Sequence, residues 1–215
     1  RALRKFIETA DWTDVGKIRY KNSNGRWEET RLKVSNALFV LAMWDQAQYR
    51  DIMTKRGVTQ EVIDSITAKI ASIDEHYLDF KDWVVQEFLP TTRLEYNEVH
   101  KQVFGASMDN IKNYFPAKVV KGYAEEDLNR GEQLLPSTIT GSIITRKSHS
   151  ENIKYNQSFF SVLLNHLQNM DQWASFTPLV EDLTAVLSSP EFSRLANEYK
   201  PGVGEDKGGA GSLKQ

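Results

Sequence analysis

The sequence predicts a mainly α fold: an elongated antiparallel helical bundle with a small β-hairpin near the N-terminus and an extended central strap. Three observations predict it. Apolar residues recur at three- and four-residue steps along most of the chain, most regularly at Ile63, Ile66, Ile70, Ile73, Tyr77, Phe80 and Val84, the spacing that lines one face of a helix. One short stretch, "GKIRYKNSNGRWEE", alternates instead, Ile18 and Tyr20 interleaving with Lys17, Arg19 and Lys21 ahead of Asn24-Gly25 and Trp27, which is hairpin chemistry. "NIKNYFPAKVV", residues 110–120, interrupts the helical pattern at mid-chain, because Pro116 forces Phe115 into extended backbone and Val119-Val120 favours the same.

The elements follow in order. Ala2 to Ala10 places Leu3, Phe6 and Ile7 on one face and reads as the end of a helix begun upstream. After the hairpin, Val34, Leu38, Leu41, Ala42 and Met53 predict one helix from Arg31 to Lys55, stopped by Arg56-Gly57. Thr59 caps the next helix, and the short Gly57-Val58 connection makes the two antiparallel neighbours. Pro90 lacks a backbone N–H, so that long helix kinks or stops near Phe88 before Leu94, Val99 and Val103 resume it as far as Gly105.

Beyond the strap, "GYAEEDLNRGEQLLP" is turn-rich and polar, and "STITGSIITRKSH" reads as a second small hairpin or an extended arm. Helices return over 156–176 and 178–199, divided at Pro178, the second interrupted at Ser189-Pro190. Residues 201–215 lack the apolar mass to hold a fold. The chain therefore divides into a helix end and hairpin over 1–30, a helical domain over 31–200, and a flexible tail or linker over 201–215.

Composition excludes several classes of function. With 40% hydrophobic and 11% aromatic residues, the 215-residue chain can bury one sizeable core. It has no cysteine, so disulfides and thiolate-bound metals are out. No apolar run approaches the roughly 20 residues of a membrane span. The net charge of -2 hides a segmental spread: residues 61–100 hold nine Asp/Glu against three Lys/Arg, whereas 31–60 hold two against five. Wholesale coating of nucleic acid needs a basic surface throughout, which this chain lacks. It begins at Arg1 without a Met and reads as a piece of something larger.

No reaction is legible. "GVGEDKGGAG" offers a Gly-x-Gly but follows a helix rather than a strand, so it reads as linker and not as a phosphate loop. The four histidines are His76, His100, His149 and His166, and only His76 has a carboxylate, Asp79, at helical spacing. A local ion pair explains that better than a metal site. Glu95 and Glu98 lie one turn apart on one helix rather than across a cleft, and read as a wet stripe. Neither cofactor nor metal is implied.

Two clusters stand out. Arg146, Lys147, His149 and Lys154 crowd into the loop "TRKSHSENIKY", a candidate phosphate contact or an exposed loop capping the next helix through Ser148 or Ser150. Trp44, Trp83, Tyr96, Tyr114, Phe115, Phe159, Phe160 and Trp173 form core knobs or a groove for another chain.

The order of a helix ending in "EYNEVHKQVFG", the segment "NYFPAK", a Ser/Thr-rich basic loop and "NHLQNMDQWASFTPLVEDLTAVLSSPEFSRLANEY" is similar to a module of the large polyvalent proteins. These are very long multidomain chains of bacteriophages, prophages and conjugative elements. The resemblance spans roughly residues 30–203 and rests on Asn113, Tyr114, Phe115 and Pro116 behind Gly105, on Thr145 to Lys147, on His166, and on Pro178 with Tyr199 and Gly202. Here Lys200 and Pro201 separate Tyr199 from Gly202, a departure from the similar proteins. The resemblance implies a non-catalytic structural and interaction module, with enzymes elsewhere in the parent polyprotein. Its partners would be other domains of that polyprotein or sister chains, and its place a virion, delivered with the genome, or the bacterial host cytoplasm. The alternative is a module that contacts DNA or RNA through the loop around Arg146. In either reading Tyr114, Phe115 and Pro116 form the strap, with Phe115 inserted between the Ile63–Val84 helix and a C-terminal helix near Phe159 or Leu163.

Overall fold

The computed structural model describes residues 2–22, 24–116 and 154–198. The fold is mainly helical with one small two-stranded antiparallel sheet. Helix α1 (Ala2–Trp12) leads into strands β1 (Asp14–Lys21) and β2 (Trp27–Lys33), followed by α2 (Val34–Trp44), α3 (Ala47–Lys55), α4 (Gln60–Ile73) and α5 (His76–Trp83). A π-helical turn (Val84–Phe88) joins α5 to α6 (Leu89–Phe104). Further along the chain come α7 (Phe159–Leu187) and α8 (Pro190–Glu198). The expected second hairpin, Val119-Val120 and the tail at 201–215 lie outside the described residues.

Helix α2 organises the core. Its sequence VSNALFVLAMW is apolar nearly all round, and only Asn36 escapes full burial, as expected of a helix enclosed by others. It contacts α1, both strands, α3, α4, α5 and α7. Asn36 also fixes its start: the side-chain oxygen accepts the Lys33 N–H at 3.0 Å, and the amide donates to the Asn156 carbonyl at 3.1 Å. Sequence-distant segments thus meet at the N-terminus of α2.

Two expected continuous helices are broken. The span 31–55 gives its first three residues to β2 and breaks at Asp45-Gln46, where Gln46 is extended (φ -90°, ψ 119°). The span from Thr59 breaks at Asp74, also extended, whose carboxylate accepts the His76 N–H at 3.1 Å and so starts α5. The seam survives this break. Ile63, Ile66, Ile70, Tyr77 and Val84 are buried and Phe80 half-buried, while Ile73, at the broken end, is exposed. The seam packs on α2, within the expected partner span.

Proline acts differently at its two helical positions. Before Pro90, where the sequence predicts a kink or stop near Phe88, the chain widens into the π turn and α6 follows directly. Pro178, by contrast, sits inside α7 without ending it. The expected division there is replaced by one 29-residue helix, broken only at Ser188-Ser189. Gly105 closes α6 in the left-handed conformation (φ 67°), as its sequence position predicts.

The hairpin is also corrected in its turn. The strands pair from Asp14↔Lys33 to Lys21↔Trp27, with a bulge between Asp14 and Gly16. Of the expected positive-φ pair, Gly25 has φ 73° and Asn24 does not, and the Asn22 side-chain oxygen organises the connection by accepting the N–H groups of Asn24 (2.9 Å) and Arg26 (3.0 Å).

Candidate functional site

The break between α2 and α3 is where Tyr114, Phe115 and Pro116 dock. Asn113, held at φ 54°, donates from its amide to the Asp45 carbonyl at 3.2 Å. The buried Gln46 amide donates to the Phe115 carbonyl at 3.1 Å. A continuous helix would spend the Asp45 carbonyl on its own ladder; breaking it frees the group for the incoming segment. Lys81 of α5 completes the junction. Its buried ammonium donates to Asp45 at 2.6 Å and Asp82 at 2.7 Å. Burial works against that charge, but the two carboxylates outweigh it and hold Lys81 above its ordinary pKa.

Phe115 is buried, stacked on Phe159 at 4.5 Å between centroids and edge-on to Phe39 at 6.2 Å. The contact with Phe159 is the one the sequence predicts. On the other side lies Phe39 of α2, in place of the expected Ile63–Val84 helix. Pro116 is buried beside it, and Tyr114, on the opposite side as extended backbone requires, is half-buried against His166 at 5.6 Å.

A second polar set holds the segment after α6. Arg93, Asn97 and His100 share one face of α6. Arg93 donates to the carbonyls of Met108 and Asp109, the Asn97 oxygen accepts the Met108 N–H at 2.7 Å, and His100 Nδ1 lies 2.6 Å from the Ala106 carbonyl. Tyr96 then donates to Asp171 of α7 at 2.6 Å. The helical spacing through Leu94, Val99 and Val103 does not mark the most buried face of α6, where Val99 and Val103 are half-buried. Leu94 is exposed, and the buried positions are Leu89, Asn97 and His100.

These polar groups are consumed in structure. His76 pairs with Asp74 at 2.7 Å, not with Asp79, and that bond raises its pKa. Burial pushes His166 down to about 4 and Tyr155 up to about 12. Among the described residues no group of three His, Asp or Glu could hold a metal ion, and no helix is long and apolar enough to cross a membrane. Glu95 is exposed and Glu98 pairs with Lys101 at 2.9 Å.

Of the predicted basic cluster, Arg146, Lys147 and His149 lie outside the described residues. Lys154 is exposed, and its neighbour Tyr155 is buried against Tyr20 of β1, ring centroids 4.3 Å apart. The described end of that loop is therefore moored to the inner side of the hairpin. Comparison with protein-family models, with curated proteins and with solved structures gave no match.

The sequence reading missed a surface on α7. Its first half buries Phe159, Phe160, Val162, Leu163, Met170, Trp173 and Thr177; beyond Thr177 no residue of the helix is buried. Ten residues, Pro178 to Leu187, extend past the core for about 15 Å. Phe176, Leu179, Leu183 and Val186 line one side at 3-4-3 spacing, each more than half exposed. The missing signal was position: helical periodicity tells which residues share a face, not whether that face has a neighbour.

Proposed function

We propose that this chain is a non-catalytic structural and interaction module of a larger phage or mobile-element polyprotein, packaged in the virion and delivered with the genome. It joins surfaces and needs no reacting residue. The phage assignment rests on the sequence order described above. The interaction role is supported by one observation: from Phe176 onward α7 presents Phe176, Leu179, Leu183 and Val186 to solvent. A contiguous apolar stripe of this kind is burial left to another chain, and its 3-4-3 spacing suits a helical neighbour. That neighbour is another domain of the parent polyprotein or a sister chain. We read the helices as an elongated antiparallel bundle and Tyr114, Phe115 and Pro116 as a strap across it, a reading supported by the enclosure of Phe115 between Phe39 and Phe159.

This chain has no cysteine of its own, so a single introduced thiol marks one position within it. A Leu183→Cys substitution in the parent polyprotein, carrying a thiol-directed cross-linker, should join this helix to a helical segment of another domain or to a second copy. A label that stays unlinked and as mobile in the parent chain as in the isolated module would remove the interaction role. Mass spectrometry of purified virions tests packaging separately: peptides of this chain are expected, and their absence sinks that part.

A further inference from the structure

We propose that the outer face of the hairpin binds single-stranded nucleic acid, with Trp27 as a base-stacking platform and Arg19 and Lys21 as the phosphate contacts. The proposal goes beyond the interaction role and uses none of the residues on α7.

Burial fixes the two faces of the sheet. Ile18 and Leu32 are fully buried and Tyr20 is half-buried, so Lys17, Arg19 and Lys21 point outward along β1. The register sets Lys17 against Arg31, Arg19 against Glu29 and Lys21 against Trp27. The outer face thus carries four cations, one carboxylate and one indole, all exposed. Residues 17–33 as a whole hold six Lys/Arg against two Asp/Glu, in a chain whose net charge is -2. None of these cations serves the core, and like charges facing each other across a strand pair, as Lys17 and Arg31 do, work against the sheet.

The cations are not equivalent. Lys17 is paired with Glu29, and Arg31 with Asp14, which also lies 3.8 Å from Lys33. Arg19 and Lys21 instead lie over the Trp27 ring, at 4.8 and 5.2 Å from its centroid. A cation–π contact positions a cation without neutralising it. Arg19 and Lys21 are therefore held in place with their charge available, on successive outward positions about 6.6 Å apart along the strand. The remaining carboxylate of the hairpin, Glu28, accepts from Tyr20 at 3.1 Å and Asn22 at 2.7 Å.

The indole is itself held. Its benzo edge packs against Gly57, where an added Cβ would stand 2.6 Å from the ring and where φ is +85°. Glycine is required there twice over, by backbone and by space. Even so, Trp27 stays 48% exposed. Arg19 and Lys21 lie over the ring itself, so an unstacked base would stack on the part of the indole they leave exposed, with its flanking phosphates at the two cations. A duplex keeps its bases stacked, and an acidic peptide has no base to place on the ring. Lys154, moored beside the hairpin by the Tyr155–Tyr20 contact, adds a further exposed cation at this end of the molecule.

The test is fluorescence anisotropy of a labelled twelve-nucleotide oligothymidylate, a twelve-base-pair duplex and a poly-glutamate peptide, between 50 and 200 mM NaCl, with circular dichroism confirming the fold of each variant. The single strand should bind in preference to the other two. Arg19→Ala with Lys21→Ala should flatten the salt slope by about 1.4, the share of two phosphate contacts on a single strand. Trp27→Ala should weaken binding about tenfold, with Trp27→Phe recovering part of it, while Lys5→Ala with Lys112→Ala, two cations off the sheet, leaves it unchanged. The proposal is overturned if no saturable binding occurs at 50 mM NaCl, or if poly-glutamate or duplex binds as well. It is equally overturned if folded hairpin variants bind like the wild type, or if Arg146→Ala with Lys147→Ala alone removes the binding.

Discussion

The two halves of α7 both carry apolar residues at helical spacing and have opposite fates. Phe159 to Thr177 buries Phe159, Phe160, Leu163, Met170 and Trp173, with Phe159 stacked on Phe115 and edge-on to Phe80, and Trp173 enclosed beside His100. Pro178 to Leu187 carries Leu179, Leu183, Val186 and Leu187 on the same helix with nothing buried. Both halves are apolar at helical spacing, yet only the first is enclosed. The difference shows that periodicity specifies an interface, whereas the surroundings of the helix decide whether that interface lies within the fold.

The largest expected effect breaks the buried half. Phe115→Ala removes a ring stacked on Phe159 and should cost about 3–5 kcal/mol, the usual range for a buried phenyl group. Because that ring lies between α2 and α7, denaturant unfolding should lose both parts in one transition at lower denaturant. Unchanged stability would mean that Phe115 does not join the two parts.

Next comes His166, on the buried half and beside Tyr114. Burial lowers its pKa to about 4 from the ordinary 6.5, so the unfolded chain takes up a proton that the folded chain refuses. The sign follows: stability is unaffected above pH 6.5 and falls as the pH drops from 6.5 towards 4, by on the order of 2–3 kcal/mol. Thermal melts of the wild type and of His166→Leu over that window check this, and the variant should lose most of the slope.

These two predictions also mark where the sequence was legible. Phe115 could be placed against Phe159 because Pro116 fixes its backbone and a long apolar run needs cover. The seam through Ile63, Ile70 and Val84 was legible from spacing alone. The breaks at Asp45 and Asp74 were not. Each serves a partner distant in sequence, Asn113 and Lys81 at Asp45, or a local Asx cap that the apolar pattern overrides at Asp74. The burial of Asn97 and His100 was hidden for the same reason, since their partners are backbone groups of Ala106 and Met108. Of the candidate sites, the hairpin cations and Trp27 were visible as residues. Their arrangement depended on register and on Gly57 lying against the benzo edge of the indole.

Lys81 tests the polar side of the enclosed region. It is the charged group that ties α5 to the α2–α3 break, and Lys81→Ala should cost about 2 kcal/mol, below the full value for a buried pair because Asp45 and Asp82 remain partly in water. Its raised pKa gives the pH dependence: the contribution is complete below about pH 10 and is lost as the pH rises through the folded value. A wild type and variant that melt at the same temperature at pH 7 would show the pair to be ornamental to stability.

The smallest effect is expected in the projecting half, and its smallness carries the comparison. Leu183 is 57% exposed with no buried neighbour on its own helix beyond Thr177, so Leu183→Ala removes little apolar area from a packed environment. It also replaces leucine with a better helix former. Stability of the isolated chain should change by no more than about 0.5 kcal/mol, as for surface positions generally. The same leucine-to-alanine change in the enclosed half, Leu163→Ala, should cost about 2–5 kcal/mol. Measuring the pair by denaturant unfolding under one set of conditions sets chemistry equal and leaves position as the only variable. If Leu183→Ala cost as much as Leu163→Ala in the isolated chain, the distal half would already be covered, by self-association or by the residues between 117 and 153. Dilution separates these cases, because a self-associated helix loses its cover as the concentration falls and a covered one does not.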